Sequence, residues 1–311
     1  MMKMFRWVTL DTDFDFMKSK KWTYAISSTL VILSLICIAV KGFNFGIDFS
    51  GGILMEIKSE KPIDVDAMRS TLSKLDIDDL NLQSMGEDGT EMVIRAQAKT
   101  LDEKAQMAIV NEIKATLGND YEYRRVDLVG PQVGGELKKD GLIASVIAVL
   151  AITAYVWFRF EWQFALGAII GLMHDLIVTA GLLSLFGIDF SLTTVAAILT
   201  LAGYSVNDTV VTYDRIRENL RKYKKMKQTD LLNKSINDIL SRTFLTGLTT
   251  MFAALALLIW GGDTLRSFAF TIFFGVVIGT YSSIYVCTTL LELFDLRASQ
   301  EETAVNPFGN A

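Results

Sequence analysis

Six long apolar segments constrain the fold of this chain more than any other feature of its sequence. A helix of about 20 apolar residues crosses a hydrocarbon core of about 30 Å, and each segment reaches roughly that length. No small-residue cleavage site follows the first segment, so we interpret it as a retained span and not as a signal peptide. We predict a polytopic α-helical membrane protein with transmembrane helices at 22–41, 141–158, 162–186, 191–213, 243–260 and 268–291.

The composition agrees with this prediction and argues against several classes of protein. Of 311 residues, 51% are hydrophobic and 21% are charged, and the formal net charge is −5. A negative net charge argues against a nucleic-acid-binding protein. One histidine and two cysteines exclude a disulfide scaffold and argue against a protein-built zinc site. Because the sequence contains no nucleophile–base pair and no phosphate loop, we predict that the chain is not an enzyme.

Lysine and arginine residues are distributed unevenly between the connecting segments. The N-terminal segment 1–21 and a loop predicted at 214–242 are rich in them, whereas the short connections 187–190 and 261–267 contain a single arginine. By the positive-inside rule, both termini, including a tail at 293–311, lie in the cytoplasm. The basic loop then has either a purely topogenic role or a docking role for a ribosome, a partner or anionic lipid.

Residues 42–138 have the composition of a small soluble domain on the periplasmic side of the membrane. Alternating and helical patterns follow each other in the order βαββαβ, at 52–59, 64–75, 80–85, 91–97, 101–117 and 121–129. That order predicts a ferredoxin-like α+β domain, in which two helices cover one face of a sheet. The segment has no histidine or cysteine and its carboxylates are scattered. It presents either a solvated acidic surface or a binding surface for a polypeptide or partner.

Ionisable residues inside membrane spans are candidates for function, because placing them in lipid is costly. Asp208 lies in the fourth span, with Ser205 and Thr212 on the same helical face. A carboxylate there loses solvation, which favours its protonated form and brings proton exchange within reach. Arg242 precedes the fifth span at a compatible depth, where it either pairs with Asp208 or snorkels to the interface. The alternative for Asp208 is a permanently paired, inert carboxylate.

The third span contains the adjacent residues His174 and Asp175. Neighbours on a helix point about 100° apart, so we expect no direct bond between these two side chains. A role in a proton relay and a role in packing are both open. Small residues that permit close contacts between spans are Gly167, Gly171, Gly275 and Gly279.

Three sequence motifs stand out beyond these patterns. They are a glycine-rich segment at 45–52 with Gly46, Asp48, Gly51 and Gly52, a segment at 129–134 with Gly130 and Pro131, and the fourth-span segment 202–219, AGYSVNDTVVTYDRIREN. A fourth element combines Ser241, Arg242 and Thr243 with Thr249 and Thr250. Together these residues resemble the SecF-type subunits of the SecD/SecF family of bacterial protein-export proteins, within the RND superfamily. The resemblance covers nearly the whole chain.

The resemblance implies a multi-pass subunit of the bacterial inner membrane that forms a complex with SecD, to which each of the two subunits contributes six transmembrane helices. It also implies that the complex uses the proton-motive force to help draw unfolded polypeptides from the SecYEG translocon, with a YidC-type insertase as a further partner. The family's intramembrane aspartate and arginine carry over to Asp208 and Arg242. We add Asn207, Ser205, His174 and Asp175 to this proton-coupling set. No cofactor or metal is implied beyond a coupling ion, H⁺ or Na⁺.

Two other functions are open from the sequence. The chain could be half of an RND-type proton-coupled exporter of small or lipidic substrates, although 42–138 is short for the usual porter module. It could also be a passive scaffold that holds translocon subunits together.

Overall fold

The computed structural model describes residues 12–75, 77–85, 88–98, 103–118 and 120–297. A 3₁₀ turn at Met17–Ser19 precedes the helices, and a π-helical turn at Ser282–Cys287 lies near their end. The helices are α1 Lys20–Lys41, α2 Ile47–Ser50, α3 Val65–Leu72, α4 Glu103–Leu117, α5 Pro131–Arg159, α6 Trp162–Phe186, α7 Leu192–Lys222, α8 Gln228–Trp260, α9 Gly262–Tyr281 and α10 Thr288–Leu291. The strands are β1 Asn44–Phe45, β2 Gly52–Lys58, β3 Ile77–Met85, β4 Glu91–Ala98, β5 Glu122–Val129 and β6 Asp189–Phe190.

The described residues form two compact units, a membrane unit of 12–44 with 145–297 and an α+β unit of 45–144. Six helical stretches have the length and hydropathy of membrane spans, which confirms the six predicted segments. They are α1, α5, α6, α7, α8, and α9 with its continuation through the π-turn and α10. Helix α5 begins at Pro131, ten residues before the predicted span, because its polar first turns continue the helix beyond the apolar stretch. Proline suits this first position, where a backbone donor would have no intrahelical partner.

The prediction of a loop at 214–242 is wrong. Helix α7 runs to Lys222 and α8 begins at Gln228, so the connection is only 223–227. The charged residues form pairs along the helices, such as Lys234 with Asp238 at 3.5 Å, which support the helical conformation. A polar, charged composition is therefore typical here of helices that extend beyond the membrane.

Glycines allow the helices of the membrane unit to approach closely. A Cβ atom at Gly275 would lie 2.4 Å from a methyl carbon of Leu201, and one at Gly167 would lie 2.5 Å from the Tyr213 hydroxyl. A Cβ at Gly171 would lie 2.2 Å from the Cys287 sulfur, whereas Gly279 faces Ser205 at an ordinary contact distance of 3.4 Å. The predicted close contacts are thus present, and the glycines set the spacing of α6, α7 and α9.

Both ends of the described chain contact the extensions of α7 and α8. Asn237 exchanges two hydrogen bonds with the backbone of Phe14, at 3.0 and 2.9 Å. The Arg297 guanidinium donates to the carbonyl of Tyr223 at 3.1 Å. The N-terminal segment, the C-terminal segment and the basic connection therefore lie at one end of the membrane unit.

The α+β unit has the predicted ferredoxin-like topology. Its sheet has the order β3-β4-β2-β5, and all neighbouring strands are antiparallel. Helices α3 and α4 supply Leu72 and Ile113 to a core that also contains Ile53 and Ile94, all four fully buried. The strand and helix positions agree with the prediction to within three residues, apart from 101–102, which lie outside the described residues.

The glycine-rich motif forms the entry to this sheet. Gly46 precedes the one-turn helix α2, which contains Asp48, and Gly51 ends it with φ 71°. Gly52 begins β2 with φ 121°, and a Cβ there would lie 3.0 Å from the carbonyl oxygen of Ala96. Both positions have positive φ, which glycine adopts without strain, so the motif is explained by backbone geometry.

Candidate functional site

Asp208 of α7 is buried between three helical segments of the membrane unit, with 7% of its surface exposed. Thr243 of α8 donates from Oγ1 to Asp208 Oδ1 at 3.1 Å. Ser283 of the π-turn donates from Oγ to Asp208 Oδ2 at 2.5 Å. Among the described residues, these hydroxyls are its side-chain partners and no salt bridge reaches it. Hydroxyl groups can donate or accept, so the site suits both the ionised and the protonated carboxyl.

Asp175 of α6 forms a second buried carboxylate site and is fully buried. Its Oδ2 atom accepts hydrogen bonds from Ser205 of α7 at 2.5 Å and from Ser282 of the π-turn at 2.6 Å. Charge-assisted bonds between a hydroxyl and a carboxylate have this short length. Since Ser205 lies one turn before Asp208 on α7, the two carboxylate sites share a helix as well as the π-turn.

His174 bonds directly to Asp175, which contradicts the expectation from sequence. The Nδ1 atom of His174 lies 2.9 Å from Asp175 Oδ1. The angle of about 100° between neighbouring residues of a helix fixes only the directions of their Cα–Cβ bonds. Further rotation within each side chain closes the remaining gap. The other ring nitrogen, Nε2, is buried and has no hydrogen-bond partner among the described residues.

The π-turn at Ser282–Cys287 places two adjacent serines at the two carboxylates. Side chains satisfy carbonyl groups of this turn: Thr288 Oγ1 donates to the Ser283 carbonyl at 3.1 Å, and the Tyr213 hydroxyl donates to the Cys287 carbonyl at 3.2 Å. Single π-turns inside helices occur frequently at functional sites. Sequence reasoning missed Ser282, Ser283 and the role of Thr243. The one available signal was a pair of adjacent serines within an apolar span.

Two of the predicted residues lie outside this hydrogen-bonded network. Arg242 is exposed, and among the described residues it forms no salt bridge. Asn207 is exposed, and as the neighbour of Asp208 it points about 100° away from it around α7. Thr212 lies on the predicted face but donates to the backbone carbonyl of Asp208 at 3.0 Å, so it does not extend the carboxylate network.

The arrangement can hold and exchange a proton, but it does not resemble a metal centre. No group of three or more histidine, cysteine, aspartate or glutamate side chains converges within the described part of the chain. The network instead contains two carboxylates, one imidazole and four hydroxyl donors, from Ser205, Thr243, Ser282 and Ser283. Within the described ranges, the side chains that bond to the two carboxylates are these hydroxyls and the His174 ring.

Comparison with known proteins gives a consistent set of relatives. Residues 109–297 match the family model "Protein export membrane protein SecD/SecF, C-terminal", and residues 38–63 match the "SecD/SecF GG Motif". Two curated relatives are protein translocase subunits SecF, from Rickettsia felis and Rickettsia prowazekii. The first is 47% identical over 91% of this chain and 92% of the relative, and the second is 46% identical over 93% of each.

Solved structures show the same relationship. The crystal structure of SecDF from Thermus thermophilus, described as a translocon-associated membrane protein, has a TM-score of 0.82 and 34% identity over 92% of this chain. A second SecDF structure, in a super-membrane-facing form, has a TM-score of 0.68 and 34% identity over 95% of this chain. This chain covers only 39% and 40% of those two proteins, about two fifths of their length.

Proposed function

This chain belongs to the SecD/SecF family of protein export membrane proteins, and we propose that it is the proton-coupled subunit of a protein translocase that contains a SecD-type partner. The buried Asp208, held by neutral hydroxyls within a membrane span, is the observation that carries this proposal. An ionisable residue in such a position is energetically costly, and residues of this kind mark ion pathways and proton relays. A carboxyl group that fits its surroundings in both charge states can bind a proton from one side of the membrane and release it to the other.

The energy available to such a site is sufficient to change helix packing. Moving one charge across a membrane potential of 100 mV is worth about 2.3 kcal/mol. A hydrogen bond to a charged group contributes about 1.5–3 kcal/mol, so gain or loss of a bond at Asp208 is of comparable size. Protonation can therefore shift the balance between two arrangements of α7, α8 and the π-turn.

Two exposed stripes within the spans support a membrane-embedded partner. On α7 the exposed positions follow helical spacing and are small or polar: Ala196, Thr200, Gly203 and Asn207. On α8 the corresponding stripe contains Arg242, Thr246, Thr249 and Ala253. Small residues favour close helix contacts in membranes, and polar ones are poorly placed against lipid. The SecDF proteins, which contain more than twice the matched length, favour a SecD-type chain as the partner that covers these stripes.

We further propose an inner-membrane location with both termini in the cytoplasm and the α+β unit on the outer side. The basic connection 223–227 and the residues near both termini lie at one end of the membrane unit, which suits the positive-inside rule. The outer unit would then contact the unfolded exported polypeptide, close to SecYEG and a YidC-type insertase. Coupling to Na⁺ in place of H⁺ is the alternative for the same carboxylate.

The variant Asp208→Asn tests the proposal in the assembled complex. We expect it to assemble with the SecD-type partner but to lose export driven by a proton gradient. Asp214→Asn is a matched control, because Asp214 lies on the same helix but is partly exposed and pairs with Arg159 at 3.2 Å. Gradient-driven export at the wild-type rate in Asp208→Asn would favour a passive scaffold. If Asp208→Asn lost export of small or lipidic compounds while polypeptide export stayed unchanged, the exporter would be favoured.

A further inference from the structure

The two buried carboxylates are connected by consecutive residues of one turn. Ser282 donates to Asp175 at 2.6 Å and Ser283 donates to Asp208 at 2.5 Å. Both serines are fully buried, so water does not compete for these bonds. A change at either carboxylate therefore acts on the same short piece of backbone.

Each serine hydroxyl has a second acceptor within its own helix. Ser282 Oγ lies 3.1 Å from the carbonyl oxygen of Gly279, and Ser283 Oγ lies 3.1 Å from that of Thr280. A hydroxyl has one proton to donate, so it bonds either to the carboxylate or to the carbonyl. An ionised carboxylate attracts that proton most strongly. A protonated carboxyl can donate its own proton to the serine oxygen, and the serine proton then turns to the helix carbonyl.

The backbone around the serines is held by bonds that depend on the π-turn. The Thr288 hydroxyl donates a hydrogen bond to the Ser283 carbonyl, five residues earlier, and the Tyr213 hydroxyl donates one to the Cys287 carbonyl. The Cys287 side chain packs directly against Gly171 of α6, because a Cβ atom at Gly171 would lie 2.2 Å from the Cys287 sulfur. A closely packed turn of this kind transmits a change at one serine to the next, because it cannot absorb the change as a local void.

Other ionisable groups face the same network. His174 bonds to Asp175, and Tyr281 of α9 lies beside the imidazole with ring centroids 6.2 Å apart. Arg242 of α8 precedes the Thr243 donor, and the Cys287 thiol lies on the same π-turn, 3.7 Å from Thr209 Oγ1. Ser205 of α7 provides a second hydroxyl at Asp175.

We propose that Ser282 and Ser283 form a hydroxyl bridge that couples the protonation of Asp208 to that of Asp175. In this bridge His174 and Asp175 form a second proton-accepting site, and the two carboxyl groups titrate as a linked pair. Ser282 and Ser283 are positioning residues that carry no proton across the membrane themselves. The bridge serves export only if Asp208 is the coupling residue, as proposed above.

Infrared difference spectroscopy of the complete complex in membranes tests the bridge directly. The carbonyl-stretch band of protonated Asp208 is identified as the band that disappears in Asp208→Asn. We expect Ser282→Ala to move the pH midpoint of that band by about one unit, although Ser282 does not contact Asp208. Asp175→Asn should move the same band, and Ser282→Thr, which keeps the hydroxyl, should leave it near the wild-type midpoint.

Thr271→Val is the matched control for these variants. Thr271 is fully buried in α9, and within the described part of the chain its hydroxyl bonds only to the Ser267 carbonyl of its own helix, at 2.7 Å. Its substitution should not change the Asp208 band. If Ser282→Ala leaves the Asp208 midpoint unchanged, or if Asp208→Asn removes no band, the bridge is overturned, and a shift in Asp175→Asn alone then reflects direct charge coupling between the two carboxylates. If Ser282→Ala does not fold, Ser282→Cys takes its place, because a thiol is a much weaker donor than a hydroxyl and should shift the same midpoint. A shifted Asp208 band in Ser282→Ala would support the bridge. If Asp208→Asn then showed normal gradient-driven export, the proposed function would be contradicted.

Discussion

Thr243 Oγ1 donates a hydrogen bond to Asp208 Oδ1 at 3.1 Å, so the residue that follows Arg242, and not Arg242 itself, contacts the buried carboxylate. The contact joins α7 to α8 at the level where both helices carry exposed polar stripes. A change in the charge of Asp208 therefore reaches α8 through a hydroxyl group. This relationship makes Thr243 a direct test of how the carboxyl group is used.

Replacing Thr243 with valine keeps the shape of the side chain and removes its hydroxyl. A hydrogen bond to a charged group contributes about 1.5–3 kcal/mol, so the pH midpoint of gradient-driven export should move by about one unit or more. Thr243→Ser should stay near the wild-type midpoint. The measurement is the export rate in membrane vesicles as a function of pH at constant gradient. An unchanged profile in Thr243→Val would show that this bond does not act on the coupling step.

Replacing Gly171 with alanine should destabilise the membrane unit. The added Cβ would lie 2.2 Å from the Cys287 sulfur, and overpacking of this kind costs about 1–3 kcal/mol. Gly203→Ala is the matched control, because a Cβ at Gly203 meets no atom within 4 Å. We expect a lower Tm for Gly171→Ala in detergent and little change for Gly203→Ala. Adding Cys287→Ala to Gly171→Ala should restore part of the loss, and equal Tm values for both single variants would contradict the packing described.

A large side chain at Gly203 should block the partner without unfolding the chain. Gly203→Leu fills the exposed stripe on α7, whereas Ala151→Leu enlarges an exposed position on α5, outside the stripes. We expect co-purification of the SecD-type partner to fall in the first variant and to persist in the second. Equal recovery of the partner would place its contact surface elsewhere.

The side chain of Asn237 should hold the N-terminal segment against α8. Its two bonds to the Phe14 backbone are each worth about 1 kcal/mol, and Asn237→Ala removes both. Hydrogen exchange of the backbone amides at 14–17 should become faster in this variant. Lys234→Ala, on the same helix, removes a pair with Asp238 and a cation–π contact with Tyr223 but neither bond to Phe14, so it should leave that exchange unchanged. If the amides at 14–17 exchanged at the wild-type rate in both variants, Asn237 would not be what holds the N-terminal segment against α8.

Much of the fold could be predicted from the sequence, because its two main signals are strong. Apolar length identified the six spans, and alternation identified the four strands of the α+β sheet. The predicted loop at 214–242 was wrong because charged helical extensions and loops have the same composition. Charged pairs along a helix, such as Lys234 with Asp238, distinguish a helical extension from a loop, and these pairs are seen in the structure.

The site was predicted in part, for a physical reason. Charged side chains in lipid are rare, so Asp208 and Asp175 stood out, whereas serine and threonine are common in membrane helices and usually bond to their own backbone. Ser282 and Ser283 reach the carboxylates from a π-turn, and its altered register does not appear in a periodic pattern. The direct bond between His174 and Asp175 depends on side-chain rotation, which sequence spacing does not define.

Proton flux through the assembled complex tests the role of Asp208 most directly. The measurement uses vesicles that contain this chain with its SecD-type partner, an imposed proton gradient and an internal pH-sensitive dye. Wild-type and Asp214→Asn complexes should acidify the vesicle interior above the background of empty vesicles, and Asp208→Asn complexes should remain at that background. Proton flux in Asp208→Asn equal to that of the wild type would contradict the assignment of Asp208 as the coupling residue.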